Sequence, residues 1–266
     1  MQIDSITPLI LTFNEQDNLR ETLAALTWAK QILIVDSGSS DDTLLIASEF
    51  PSVLLVQRKF DHFADQCNFG LSKVETPWVL SLDADYVCVE GLADELIHLD
   101  AHAEGYLAKF QYGIYGRVLR GSLYPPRTIL YRKAKAYYVR DGHAHRVVVD
   151  GIVLKLRSTI LHDDRKPLSH WFHSQFKYAS LEADKLLSSD HRDLGWKDRI
   201  RLKIIFAPIL TFVYCLLARG LILNGWAGFY YTMQRVFAEL SLSLTLLDRK
   251  LKKCDSAVGR RQESQD

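Results

Sequence analysis

The stretch Trp78-Val79-Leu80-Ser81-Leu82-Asp83-Ala84-Asp85-Tyr86 decides how the chain folds, because an apolar run stops abruptly at two carboxylates one residue apart. A short apolar run bounded by polar residues reads as a buried strand. In an open α/β sheet, ligands bind beyond the carboxyl ends of such strands. Side chains at i and i+2 of an extended segment point the same way, so Asp83 and Asp85 are expected to converge on one ligand. Paired carboxylate oxygens suit a hard divalent cation, Mg²⁺ or Mn²⁺, and the phosphate oxygens such a cation binds. Strand-terminal carboxylates are also common turn formers, so the pair alone is a weak signal.

The residues on the N-terminal side strengthen it. β-type runs at Ile6–Phe13, Gln31–Asp36 and Val53–Gln57 alternate with helical stretches at Glu15–Trp28, Asp41–Phe50 and Phe63–Val74, and a further helix begins near Gly91. This alternation predicts a mainly parallel sheet with helices on its faces. The first run closes on Thr12-Phe13-Asn14-Glu15 and the second on Asp36-Ser37-Gly38-Ser39-Ser40-Asp41-Asp42-Thr43, so three strand ends carry acidic clusters. Carboxylates placed there accept the N–H of a uracil-type base or ribose hydroxyls, and Gly38 lets backbone come close to a ligand. Asn14 and Asp36 read equally well as capping turns.

At 266 residues the chain is long enough for one large domain with a smaller appendage. Hydrophobic residues at 48% against 24% charged exclude a disordered or collagen-like protein. A formal net charge of +1, with no basic patch interleaved with aromatics, argues against a nucleic-acid partner. Cys67, Cys88, Cys215 and Cys254 lack CxxC spacing, which argues against a zinc knuckle or a disulfide framework and fits free thiols in a reducing cytosol. The apolar run at Ile6 lacks a basic leader and reads as a first strand, so the N-terminal half is expected in the cytosol.

Beyond Gly105 the pattern changes to Tyr-, Val- and Arg-rich runs punctuated by Gly and Pro, which predicts hairpins and an acceptor side at residues 101–165. The first 100 residues would bind the ligand's nucleotide, 166–253 would be helical, and 254–266 would form a flexible polar tail. Ile204–Leu223 approaches the roughly 20 residues of a membrane span but is interrupted by Pro208, Arg219 and Gly220. Basic residues Arg192, Lys197, Arg199, Arg201 and Lys203 precede it, and Trp196 and Trp226 flank it. Such a segment either spans or lies in the interface at anionic headgroups, while two helices packed on the sheet would read similarly.

Taken together, TFNE, VDSGSSDDT, FADQCNFGL and LSLDADY resemble, in order and spacing over about the first hundred residues, the inverting family-two glycosyltransferases. The resemblance implies a GT-A fold, a Rossmann-like nucleotide-diphospho-sugar transferase domain over 1–165, followed by a membrane-associated helical tail. It implies a nucleotide-sugar donor contacted by Thr12, Asn14, Glu15, Asp36 and Gly38, by Gln66 and Asn68 from the helix before the DxD strand, and by Asp83. Asp85, with Asp83 and a late histidine, His162, would hold the divalent metal. The likeness extends weakly into the second half toward the lipopolysaccharide-core glucosyltransferase type, through Gly121–Arg127 and Phe206–Phe229. It implies a glycolipid or lipopolysaccharide-type acceptor at the cytoplasmic face of a membrane. Where that type carries a His-Glu pair, this chain reads Asp141-Gly142-His143-Ala144-His145-Arg146, with arginine in the expected glutamate position. The general base that an inverting transfer needs is then sought among Asp141, His143 and His145, and Arg146 becomes a candidate for the diphosphate. In Leu161-His162-Asp163-Asp164-Arg165-Lys166-Pro167 the chain has a second charged cluster, read as a closing loop or a surface turn. Loss of the glutamate leaves open a catalytically impaired relative that only binds nucleotide-sugar or glycan, and a nucleotidyl-transferring enzyme is a third reading.

Overall fold

The computed structural model describes the chain apart from Asp100, Ala101, Gly142, His143, His191, Asp193 and residues 264–266, and apart from the side chains of 141, 144, 145 and 254–263. It divides into two compact units, Met1–Lys166 and Pro167–Asp266. The first unit contains strands β1 (Ile6–Thr12), β2 (Ile32–Asp36), β3 (Val53–Gln57), β4 (Trp78–Asp83), β5 (Tyr86–Cys88), β6 (Gly105–Ile114), β7 (Arg117–Val118), β8 (Arg127–Arg132), β9 (Ala136–Asp141), β10 (Ala144–Val149) and β11 (Val153–His162). Its helices are α1 (Leu19–Ala24), α2 (Thr43–Ser48), α3 (Phe63–Lys73) and α4 (Leu92–Ile97).

The main sheet runs β3-β2-β1-β4-β8-β6-β11-β5, with β7 paired to β6, and β9 and β10 form a separate two-stranded sheet. Its first four strands are parallel, whereas β8 joins β4 and β6 antiparallel. The period of two divides the core. Ile6, Ile10, Ile32, Ile34, Leu80 and Leu82 face one side and bury Leu19 and Leu23 of α1, Ile46 of α2 and Leu96 of α4. Leu9, Leu33, Val35 and Val79 face the other side, against Ala64, Cys67 and Leu71 of α3. Each such buried aliphatic side chain contributes about 1.5–3 kcal/mol through removal of apolar surface from water. Parallel strands need crossovers, and these helices supply them.

Two sequence expectations are corrected here. First, Asp83 ends β4 but Ala84 and Asp85 form a turn before β5, so the two carboxylates are not successive same-side positions of one extended strand. The buried Thr22 hydroxyl fixes this turn by donating to the Ala84 carbonyl at 2.7 Å. Second, α1 starts at Leu19 rather than Glu15, because residues 14–16 are engaged elsewhere. Asn14 adopts a left-handed φ of 54°, and the amides of Glu15 and Gln16 donate to Thr43 Oγ1 and Asp41 Oδ2 instead of entering a helix.

The second unit is helical: α5 (Leu168–Ser188), α6 (Trp196–Arg201), α7 (Phe206–Val213) running into a π-turn at Tyr214–Ala218, a 3₁₀ turn at Leu221–Asn224, and α8 (Gly225–Glu263). Ala179, Ala183 and Leu186 of α5 pack with Leu242 and Leu246 of α8. Arg201 is clamped by Glu239 at 2.6 Å, with Asp198 at 3.5 Å and Glu182 at 3.6 Å. Pro208 does not interrupt the apolar stretch, since it lies in the first turn of α7, where no amide hydrogen is needed for the ladder. The interruption is at Arg219-Gly220, where the axes of the helical runs on either side differ by 70°. Helix α8 runs on through the polar stretch after Lys253 to Glu263.

Candidate active site

The loops after β1, β2 and β4 are tied to each other and to one later segment, His162–Lys166. Thr12 and Asp36 are register partners in the parallel ladder, which places the Thr12 hydroxyl 2.9 Å from Asp36 Oδ2. Asp36 Oδ2 also accepts from the Ser39 hydroxyl, while Oδ1 accepts the amides of Gly38 and Ser39, both at 2.9 Å. Burial pushes this carboxyl up, but the bonds from Ser39, Thr12 and Gly38 outweigh it and hold Asp36 below its ordinary value. Gly38 sits at φ 92°, a conformation that L side chains rarely adopt. Asn14 closes the same corner, accepting from the Ser40 amide and donating its own amide to Ser39 Oγ.

The expected nucleoside contact through Asp36 is therefore corrected: the carboxylate is fully buried and its acceptor positions are filled by Thr12 of β1 and by Gly38 and Ser39 of its own loop. Its work is to set the path of Gly38-Ser39. Asp36→Asn is expected to destabilise the folded state by about 3 kcal/mol, since charge-assisted bonds are lost and a donor replaces an acceptor. The pH dependence follows from the sign of the shift. A folded value below the ordinary one gives stability that is present above about pH 4 and lost as pH falls through the folded value. Urea denaturation at neutral and acidic pH should therefore show a shallower acid limb in the variant than in the parent.

Gln66 and Asn68 are also reassigned. Gln66 is fully buried on α3, with Nε2 donating to Ser37 Oγ at 2.9 Å and to the Arg58 carbonyl at 3.0 Å, and Oε1 accepting from the Arg58 guanidinium. Asn68 clamps the backbone of Tyr138 on β9 from both sides, at 2.9 and 3.0 Å. Both amides support the loop and the hairpin rather than lining a cleft. Arg146 is exposed on β10, in the two-stranded sheet rather than the sheet that carries Asp83 and Asp85. The base candidates Asp141, His143 and His145 lie outside the described residues, the first and last by their side chains.

The convergence is at Asp85. The antiparallel pairing of β5 with β11 sets His162 opposite Tyr86, and this brings His162 Nε2 to 2.9 Å from Asp85 Oδ2. Burial favours the neutral ring, yet the Asp85 carboxylate outweighs it and lifts His162 above its ordinary value. Tyr86, Tyr112 and Tyr124 box the imidazole edge-on at 5.3, 4.7 and 4.7 Å. The ring Nδ1 is buried with no hydrogen-bond partner, so its orientation rests on Asp85 and the aromatic walls. Asp83, more exposed, faces Arg127 at 3.6 Å, and that guanidinium also donates to Tyr86 Oη at 3.1 Å and lies over the Tyr124 ring.

The three-residue metal set of Asp83, Asp85 and His162 is corrected, because no group of three metal-ligating side chains forms among the described residues. What remains is one carboxylate and one imidazole side by side. That donor set fits a Mg²⁺ or Mn²⁺ ion bound through one or two protein groups and completed by substrate phosphates and water.

Glu15 stands across from Asp85. Burial pushes its carboxyl up to about 7 against the pull of the Lys166 ammonium, and the Asp85 charge adds to the rise. Lys166 pairs with it, and both side chains are largely buried. Asn18, which sequence reasoning missed, is the hub: its Nδ2 donates to Glu15 Oε2 and Asp164 Oδ1, and its Oδ1 accepts the Arg165 amide. Only its spacing from Glu15 hinted at a capping role, and its partners near residue 164 were invisible locally. Asp163, legible in the sequence only as one member of a charged cluster, is buried and accepts the Gly116 amide at 2.7 Å. Each residue from His162 to Lys166 thus holds a different part of this corner.

Comparison with known proteins identifies the family. A model of the family described as Glycosyl transferase family 2 matches residues 9–151, just over half of the chain. The chain belongs to glycosyl transferase family 2. This family 2 enzyme is 25% identical to the lipopolysaccharide core biosynthesis glycosyltransferase LpsC of Rhizobium meliloti, over 86% of each chain. Over 32% of its length it is 40% identical to the undecaprenyl-phosphate 4-deoxy-4-formamido-L-arabinose transferase of Sodalis glossinidius, of which it spans 30%. Among solved structures, S. aureus TarS 1–349 in complex with UDP-GlcNAc is similar with a TM-score of 0.47 and 15% identity, over 93% of this chain and 92% of that one. The α/β unit of the family 2 glycosyltransferase is GT-A-like, with its mostly parallel strands leading to the corner at Asp85.

Proposed function

We propose that this glycosyltransferase moves a sugar from a nucleoside-diphosphate sugar to a lipid-linked glycan of the lipopolysaccharide-core kind, with inversion and with a divalent cation at Asp85. The observation that carries the reading is the meeting of Asp85 and His162 with the Glu15–Lys166 pair beyond the carboxyl ends of β1 and β4. That is where an open α/β sheet takes its ligand. The overall likeness to LpsC supports the acceptor class.

In this reading, Asp85 and a neutral His162 would hold the cation, which would supply Lewis-acid neutralisation of the charge on the departing diphosphate. The chain's own residues do the rest. Gly38 and Ser39, held in place by Asp36, present a fixed backbone to the nucleoside. Lys166 is a buried cation whose ammonium is stabilised in charged form by Glu15 despite burial, and it adds positive potential beside the diphosphate. Arg127 sets Asp83 toward the ribose. The acceptor hydroxyl loses its proton to a base on the hairpin that contains Asp141, His143 and His145.

The test is calorimetric titration of UDP and GDP into the purified protein with and without Mn²⁺, repeated on Asp85→Ala. Metal-dependent binding of one nucleotide, lost in the variant, is the expected result. No nucleotide binding under any condition would remove the donor-site reading. Binding without transfer to any lipid-linked acceptor would favour a binding module.

A further inference from the structure

The second unit carries an exposed apolar surface. On α7 and its π-turn, Ala207 and Cys215 are buried, yet Phe206, Ile209, Val213 and Leu217 on the opposite side are exposed. A helix apolar all round is covered by something on its second face as well as its first. Past the 70° bend the exposed series continues through Ile222, Leu223 and Trp226, the last 80% exposed. The patch is therefore continuous in sequence on both sides of the bend, far beyond the isolated apolar residues of an ordinary surface.

Charge identifies what covers it. Between Trp196 and Arg235 the one acidic residue is Asp198, against Lys197, Arg199, Arg201, Lys203, Arg219 and Arg235. Asp198 is itself engaged by Arg201 at 3.5 Å, and Lys197, Arg199, Lys203 and Arg219 are exposed. A second copy of the chain docked face to face would set these cations against their own images. A bilayer containing anionic lipids meets both properties at once, apolar interior and negative surface. Trp196, 70% exposed, and Trp226 stand at the two ends of the band, where indole favours the headgroup level. No single helix among the described residues is long and apolar enough to cross a membrane; Phe206–Ala218 and Leu221–Lys253 reach that length and apolarity only together, and the 70° bend between them breaks the straight path a span would take.

We infer that residues 196–226 form an interfacial wedge that seats this enzyme on an anionic phospholipid bilayer without crossing it, the apolar bend entering the acyl boundary and the basic residues resting on headgroup phosphates. This goes beyond the donor-site reading and does not depend on it.

The full chain is mixed with vesicles of phosphatidylcholine alone and of phosphatidylcholine with phosphatidylglycerol, and binding is read by co-sedimentation. Binding to the anionic vesicles, weakened by salt, is expected. Leu223→Asp/Trp226→Asp, at exposed positions that leave the fold intact by circular dichroism, should lower partitioning by more than about tenfold. Lys197→Glu/Lys203→Glu should remove the preference for anionic vesicles. Three results would overturn the inference: unchanged partitioning in the apolar variant, retention of the bound chain after alkaline carbonate extraction, or failure to bind vesicles while sedimentation shows dimers that Trp226→Asp dissolves. The last would assign the face to a second copy.

Discussion

Asp85→Asn will reduce sugar transfer by about three orders of magnitude while the protein still folds, the range seen when one preorganised electrostatic group at a developing charge is removed. The amide keeps the shape of the side chain but gives up the charge that faces His162 at 2.9 Å and that would hold a cation. With the carboxylate gone, the largest influence that lifts the buried His162 is lost, and only the more weakly acting Asp83 and Asp164 still oppose burial, which favours the neutral ring. The loss should fall in kcat/KM, measured by nucleotide release with acceptor present. Asp83→Asn should cost less, because Asp83 is more exposed and already faces Arg127 at 3.6 Å. Equal losses in the two variants would mean that the carboxylates act as one ligand pair after all.

Gly228→Ala is the second large effect, and it concerns folding rather than chemistry. A Cβ at Gly228 would lie 1.9 Å from the Leu221 carbonyl oxygen and 2.9 Å from Asn224 Cβ. The obstruction is backbone, which cannot swing aside like the end of a side chain. Alanine would favour the helix by about 1 kcal/mol over glycine, but overpacking of this kind costs about 3 kcal/mol or more, so the clash wins. For a unit of about this size the melting midpoint should fall by roughly ten degrees. A midpoint at or above that of the parent, in a thermal scan of the full chain, would show that α8 and the turn before it can separate at little cost.

The parallel half of the sheet was legible because its strands are nearly unbroken apolar runs, and the ends of β1 to β4 fall within a residue of where composition placed them. What stayed hidden was set by partners distant in sequence. Gln66 and Asn68 look like polar positions of a solvated helix until Arg58, Ser37 and Tyr138 arrive beside them. Asp36 shows the same limit at short range: Thr12 reaches it only because β1 and β2 pair in register. The spacing of Asp83 and Asp85 misled because it assumed extended backbone through Ala84, where a buried hydroxyl stabilises a turn. His162 and Lys166 were recognisable as charge, but their targets were set by the return of β11 to β5.

That late return has a consequence for synthesis. Glu15 and Asn18 are made near the start of the chain, and the residues that pair with them, Asp164, Arg165 and Lys166, come about 150 positions later. At the roughly 5–20 residues per second of translation, the nascent enzyme passes many seconds with this corner unassembled. A partial product that lacks residues 162–166 carries both loop motifs, yet Glu15 and Asn18 are without the partners that hold them in this corner.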